Sequence, residues 1–204
     1  MKKLILALGA VFLVLFSVGT MAGESLRNMG NLDPGVTQPN SNAFGRSLDA
    51  WMETYIRWLE TGADPEYRVK NVSFLPILGD SPFNVEVGPG TALVLPIVTW
   101  LGFPGDEPLP DEWWGDRGHI FGDVYLDGQQ IAVPNTEYYV GPTYLDPPAS
   151  LFGFEIIFYQ ALVVVINPLT PGEHHINLHS EFVDYGAAFD NTWNITVRPP
   201  GKTN

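Results

Sequence analysis

The run Phe154-Glu155-Ile156-Ile157-Phe158-Tyr159-Gln160-Ala161-Leu162-Val163-Val164-Val165-Ile166 decides the fold. It is apolar on both faces that a two-residue period defines, and it ends in an unbroken β-branched block. β-Branched side chains lose rotamers against the preceding turn of a helix, so the block argues for a strand. A strand that is apolar on both faces must be covered on both. The run therefore predicts a central strand held between two layers, with a bend or break near its Gln160-Ala161 step.

Working outward, strand-like runs with a period of two recur over 69–75, 83–87, 92–100, 119–126, 129–133, 137–140, 174–182 and 192–197. Asp127-Gly128 is a two-residue hairpin signal, and Gly88-Pro89-Gly90 and Pro171-Gly172 are turns between strands. Pro76 and Pro96 sit at the end of and within strand-like runs, which places them at an edge or a bulge. Ahead of the strands the period changes. Leu48, Trp51, Met52, Tyr55, Trp58 and Leu59 recur at helical spacing, with Asp49, Glu53, Arg57 and Glu60 mostly opposite. Ser47 as N-cap, Gly62 as stop and Pro65 beyond it bound a helix over about 47–61. The expected architecture is mainly β: a β-sandwich or jelly roll of antiparallel sheets with one flanking N-terminal helix.

The N-terminus reads as an export signal. Lys2 and Lys3 precede an apolar run from Leu4 to Val18, and Thr20-Met21-Ala22 offers small residues before Gly23. Residues 1–22 are expected to be removed by cleavage after Ala22, leaving a secreted or periplasmic protein with no membrane segment. Residues 23–42, rich in Asn, Gly and Pro, read as a flexible polar lead-in, and 43–199 as one domain. The formal net charge is −13, and the leader removes two lysines and no acid, so the mature chain is more acidic still. That balance repels nucleic acid and anionic membrane surfaces. Cysteine is absent, which excludes disulfides, thiolate metal sites and cysteine nucleophiles.

Four segments carry a family resemblance. They are Trp51-Met52-Glu53-Thr54-Tyr55-Ile56-Arg57-Trp58, Val72-Ser73-Phe74-Leu75-Pro76, Val87-Gly88-Pro89-Gly90-Thr91-Ala92-Leu93-Val94-Leu95-Pro96-Ile97-Val98 and Asn167-Pro168-Leu169-Thr170-Pro171-Gly172-Glu173-His174. Over 44–197 the chain resembles a group of exported prokaryotic β-rich proteins with a Trp-rich N-terminal amphipathic helix. Their function is uncharacterised, so the resemblance implies fold and compartment and assigns no site residues.

Three places hold residues suited to chemistry. The acidic loop over 102–118 places Asp106, Glu107, Asp111, Glu112 and Asp116 around Trp113 and Trp114. Indole faces stack on sugar rings while carboxylates hold hydroxyls, so Trp113, Trp114, Asp111, Glu112 and Asp116 form a candidate ligand surface. The same oxygens suit a hard cation such as calcium, although the spacing is not that of an EF-hand. A solvated loop whose tryptophans tuck back onto the sandwich is the third reading. The second place is the strand with His174, His175 and His179. His175 and His179 lie about 13 Å apart along a straight strand, too far to chelate one ion. A histidine metal site would need His119 or His175 joined to carboxylates such as Asp106, Asp111 or Asp116; otherwise the strand is a polar solvent face. The third is a pair of carboxylates for glycoside hydrolysis, which nothing in the pattern selects. No Gly-x-Ser-x-Gly elbow, phosphate loop or dinucleotide fingerprint occurs in the mature chain.

These features favour a non-enzymatic module that binds a glycan or an extracellular protein through its loop end, with no cofactor. The alternative is a small secreted polysaccharide hydrolase with an acidic, Trp-lined cleft.

Overall fold

The computed structural model describes residues 35–77, 81–133 and 135–201. The leader and residues 23–34 of the lead-in lie outside the described residues. Among the described residues the chain forms helix α1 (Leu48–Glu60) and nine strands. These are β1 (Val72–Phe74), β2 (Phe83–Val87), β3 (Ala92–Gly102), β4 (Ile120–Leu126), β5 (Gln129–Ile131), β6 (Tyr139–Leu151), β7 (Phe154–Ile166), β8 (Gly172–Phe182) and β9 (Ala187–Val197). One sheet has the order β1-β3-β7-β6 and the other β2-β9-β8-β4-β5. The two pack as a β-sandwich, and α1 covers the outer face of the four-stranded sheet.

β7 is the central strand its composition demands. Ile156 and every residue from Phe158 to Ile166 are at most 1% exposed, because α1 lies on one side and the second sheet on the other. The expected break at Gln160-Ala161 does not occur. Irregularity is taken up by the neighbours instead: β3 bulges between Pro96 and Val98, and β6 shifts register twice. A break at Gln160 is unnecessary because its buried amide is satisfied where it stands. Its oxygen accepts from Leu109 N–H at 2.7 Å, and its nitrogen donates to Leu109 C=O and to the Tyr139 hydroxyl, both at 2.8 Å.

In α1 the aromatic stripe is a packing face with polar anchors. Trp51, Tyr55 and Trp58 are at most 2% exposed and gather around Phe74. Trp51 Nε1 donates to Ala43 C=O, Tyr55 Oη to Leu75 C=O and Trp58 Nε1 to Asp64 C=O, each at 2.8 Å. Ser47 Oγ caps the helix by accepting from Ala50 N–H. The polar side of the helix is not simply solvated. Asp49 accepts from Thr143 and Tyr159, Arg57 donates to Pro147 C=O, and Glu60 accepts from Ser150 N–H. These contacts bind α1 to β7 through Tyr159 and to β6, an edge strand, through Thr143, Pro147 and Ser150.

Two features depart from the expectation. The pairs β1–β3 and β2–β9 are parallel, although the other pairs are antiparallel. The chain leaves the first sheet after β1, runs through β2 in the second and returns at β3, so two reversals restore its direction. Gly88-Pro89-Gly90 thus joins strands in different sheets. The lead-in is also not wholly loose: Val36 bridges Ile166, Thr37 N–H donates to Val165 C=O, and Asn167 N–H donates to Gly35 C=O. Residues 35–37 are therefore pinned to the C-terminal end of β7.

Candidate functional site

One end of the sandwich collects the 103–119 loop, the turn Val183–Tyr185 between β8 and β9, and the β6–β7 hairpin. Three of the loop's acids serve its own shape. Asp106 accepts from Phe103 N–H at 3.0 Å, Asp116 from Gly118 N–H at 2.6 Å, and Asp111 from the Tyr139 hydroxyl at 2.6 Å. Leu109 is anchored on Gln160, which holds the middle of the loop against the four-stranded sheet. Gly115 adopts φ +86°, and a Cβ there would lie 2.4 Å from Thr136 N, so this crossing requires glycine.

The two tryptophans have opposite fates. Trp114 is 1% exposed, stacks on Tyr139 with centroids 5.3 Å apart and meets Phe182 edge-on. Its indole faces are in the core, so the expectation of Trp114 as a sugar platform is corrected. Trp113 is half-buried and lies almost parallel to the His119 ring, 3° apart with centroids at 4.8 Å. His119 Nδ1 is 2.7 Å from Asp184 Oδ2, and His119 C=O accepts from Val183 N–H, so the loop and the Val183–Tyr185 turn hold each other. Tyr185 stacks on Trp100 at 5.7 Å and 24°. Its phenol is held above its ordinary value by burial and then by the charges of Asp184 and Asp106. Trp100 and Trp114 both pack against Phe182, and both carry a buried Nε1–H without a hydrogen-bond partner.

The site therefore gathers Trp113, His119, Asp184, Tyr185 and Trp100, with Glu112 and Asp116 exposed beside them. Asp184, Tyr185 and Trp100 were not legible as site residues. The only local signal was an Asp-Tyr-Gly turn closing the histidine strand.

The candidate cation ligands are dispersed. His175 projects from the far end of β8, about 20 Å along the strand from Phe182, and its Nδ1 lies 3.0 Å from Asn194 Oδ1. Asp106, Asp111 and Asp116 each direct one carboxylate oxygen to a different partner, Phe103 N–H, the Tyr139 hydroxyl and Gly118 N–H respectively. Among the described residues no three His, Asp or Glu side chains form a group able to hold a metal.

The histidine strand is a polar outer face, as its alternation predicts. Ile176, Leu178, Ser180 and Phe182 point inward, whereas His175 and Asn177 are exposed and His179 and Glu181 partly so. His174 closes the opposite end of the molecule. Its Nδ1 is 2.7 Å from Asp127 Oδ2 and its Nε2 is 2.8 Å from Thr170 C=O, while Asp127 Oδ1 accepts from His175 N–H. His179 is similarly held at both nitrogens, by Asp190 and Glu181 at 2.8 Å. A ring with an acceptor at each nitrogen favours the imidazolium. Burial opposes the charge in both, but the hydrogen bonds and nearby carboxylates prevail and raise each above the ordinary 6.5. At Asp127 burial also opposes the charged form, here by pushing the value up, and the bonds from His174 and His175 outweigh it, lowering the carboxyl below 3.8.

A raised histidine contributes stability that is complete below its unfolded value and is lost as pH climbs through the folded one. A lowered carboxylate contributes stability that is lost as pH falls through its folded value. Thermal stability is therefore expected to peak on the acid side of 6.5 and above the carboxylate range, and to decline towards pH 8.5. Melting curves of the wild type and of H174Q/H179Q at pH 5.5 and 8.5 check this; a wild-type Tm that does not fall between them would contradict it.

No protein-family model matches the chain, and no curated protein matches it in sequence.

Proposed function

We propose that this chain works outside the cytoplasm as a non-enzymatic β-sandwich module that holds a glycan at its loop end. The observation that carries this reading is the Trp113–His119–Asp184 stack. His119 props one face of a half-buried indole, Asp184 fixes the imidazole, and Tyr185 on Trp100 supplies a second supported ring beside it. Supported aromatic faces beside exposed carboxylates suit a sugar, whose rings stack through C–H edges and whose hydroxyls seek acceptors. The address rests on residues 1–22: a basic start, an apolar run and a small-residue cleavage site.

Tryptophan-to-alanine replacement at Trp113 is expected to lower affinity for a captured oligosaccharide tenfold or more, about 1.4 kcal/mol, and to lower Tm while leaving the chain folded, because the half-buried indole also packs on His119 and the core edge. An oligosaccharide array with wild type and W113A, run beside a reducing-sugar release assay, makes the test. Binding without release supports the module. Release of reducing ends would make the protein the polysaccharide hydrolase instead, and capture that ignores W113A would remove this site. Mass analysis of the exported chain should find its N-terminus at Gly23.

A further inference from the structure

The β6–β7 hairpin carries aromatic side chains in the open at the same end of the sandwich. Tyr144 is 64% exposed, Phe152 56% and Phe154 43%. Phe103 meets Phe154 edge-on at 5.7 Å beside the turn, and Tyr144, further along β6, lies against the buried Phe158 at 5.4 Å, so Phe154 and Tyr144 each rest on one other ring while their outer surfaces stay open. A ring left in water forfeits the burial through which aromatics stabilise a fold. Phe152 is the clearest case. It occupies the first position of the Phe152-Gly153 turn at φ +56°, a conformation that glycine or asparagine adopts with less strain. A bulky ring kept exposed at such a position has a use outside folding.

The surroundings specify the charge of what it meets. Residues 103–112 and 143–155 contain Asp106, Glu107, Asp111, Glu112, Asp146 and Glu155 and no lysine or arginine, and the cation that reaches the hairpin from α1, Arg57 at Pro147 C=O, is paired with Glu60. Exposed rings framed by carboxylates complement a ligand that is both cationic and apolar, because a guanidinium stacks on an aromatic face and pairs with an acid at the rim. The same frame repels anionic lipid headgroups and a second copy of a chain whose net charge is −13. We propose that the Tyr144/Phe152/Phe154 surface docks an arginine-rich, apolar segment of a partner protein. This surface is separate from the Trp113 stack and does not depend on the glycan reading.

Titration of the full chain with a synthetic peptide alternating Arg and Leu tests it. Binding is expected to be at least tenfold tighter than for a Glu/Leu peptide of the same length, and to weaken about tenfold between 50 and 500 mM salt. The variant F152N is expected to hold or raise Tm, since asparagine relieves the turn, while weakening the peptide several-fold; F152N with Tyr144→Ser should weaken it tenfold or more. W113A should leave peptide binding unchanged. Equal binding of both peptides, or affinity unmoved by F152N and by the double variant, would overturn the proposal. So would partition into phosphatidylcholine or phosphatidylglycerol vesicles, or self-association through the hairpin, in place of peptide binding.

Discussion

Gln160→Leu is expected to lower stability by about 2–5 kcal/mol and to free the middle of the 103–119 loop. Leucine nearly matches the volume of glutamine, so the core of β7 stays filled and the loss isolates the amide's hydrogen bonds. Leu109 N–H and C=O would both be left without a partner in a buried place, at about 1–3 kcal/mol each. The Tyr139 hydroxyl, which links Gln160 to Asp111, would lose one of its two bonds. The effect should spread to the site, because the chain from Leu109 to Trp113 carries the indole to His119. Chemical denaturation gives the stability, and hydrogen exchange at the Leu109 amide reads the local release. A leucine variant as stable as the wild type, with Leu109 still protected, would show that the loop is held by packing alone.

Trp51→Ala should cost about 3–5 kcal/mol, the loss usual for removing a buried tryptophan. The side chain is fully buried, packs against Phe74 at 6.3 Å and donates to Ala43 C=O, so its removal opens a cavity and leaves that carbonyl with the Arg46 N–H alone. Domains of ordinary stability hold only about 5–15 kcal/mol in total, so this variant would sit close to unfolding at room temperature. Trp51→Phe separates the contributions. It keeps much of the packing, loses the hydrogen bond and is expected to cost about half as much. Denaturant titrations of the three proteins decide it. If W51A unfolds as late as the wild type, α1 is not the lid that keeps water from the outer face of β7.

Much of the fold was legible because its signals are local. The bounds of β7 and β2 fall where the apolar alternation begins and ends, and α1 starts one residue after its Ser47 cap. β6 was read far too short, as 137–140 against Tyr139–Leu151. Pro142, Pro147 and Pro148 break the strand pattern, and only an edge strand with two register shifts can carry them. At the site, the acidic loop with Trp113 was visible, and its partners Asp184, Tyr185 and Trp100 were not, since Asp184 and Tyr185 arrive on a turn remote in sequence and Trp100 joins them only through its stack on Tyr185.

What the sequence by itself determined is the set of elements: a thiol-free chain of β-strands, one amphipathic helix, and a central strand needing cover on both faces. Those follow from periods and propensities that act within a few residues. Tertiary structure alone decided that β1 runs parallel to β3, that Gln160 clasps Leu109, and that of two adjacent indoles Trp114 enters the core while Trp113 rests on His119. The first two are contacts between distant segments, and the third turns on Trp114 meeting Phe182 and Tyr139 from other strands; each outcome depends on which surface is still unfilled when the sheets close, which no local pattern records.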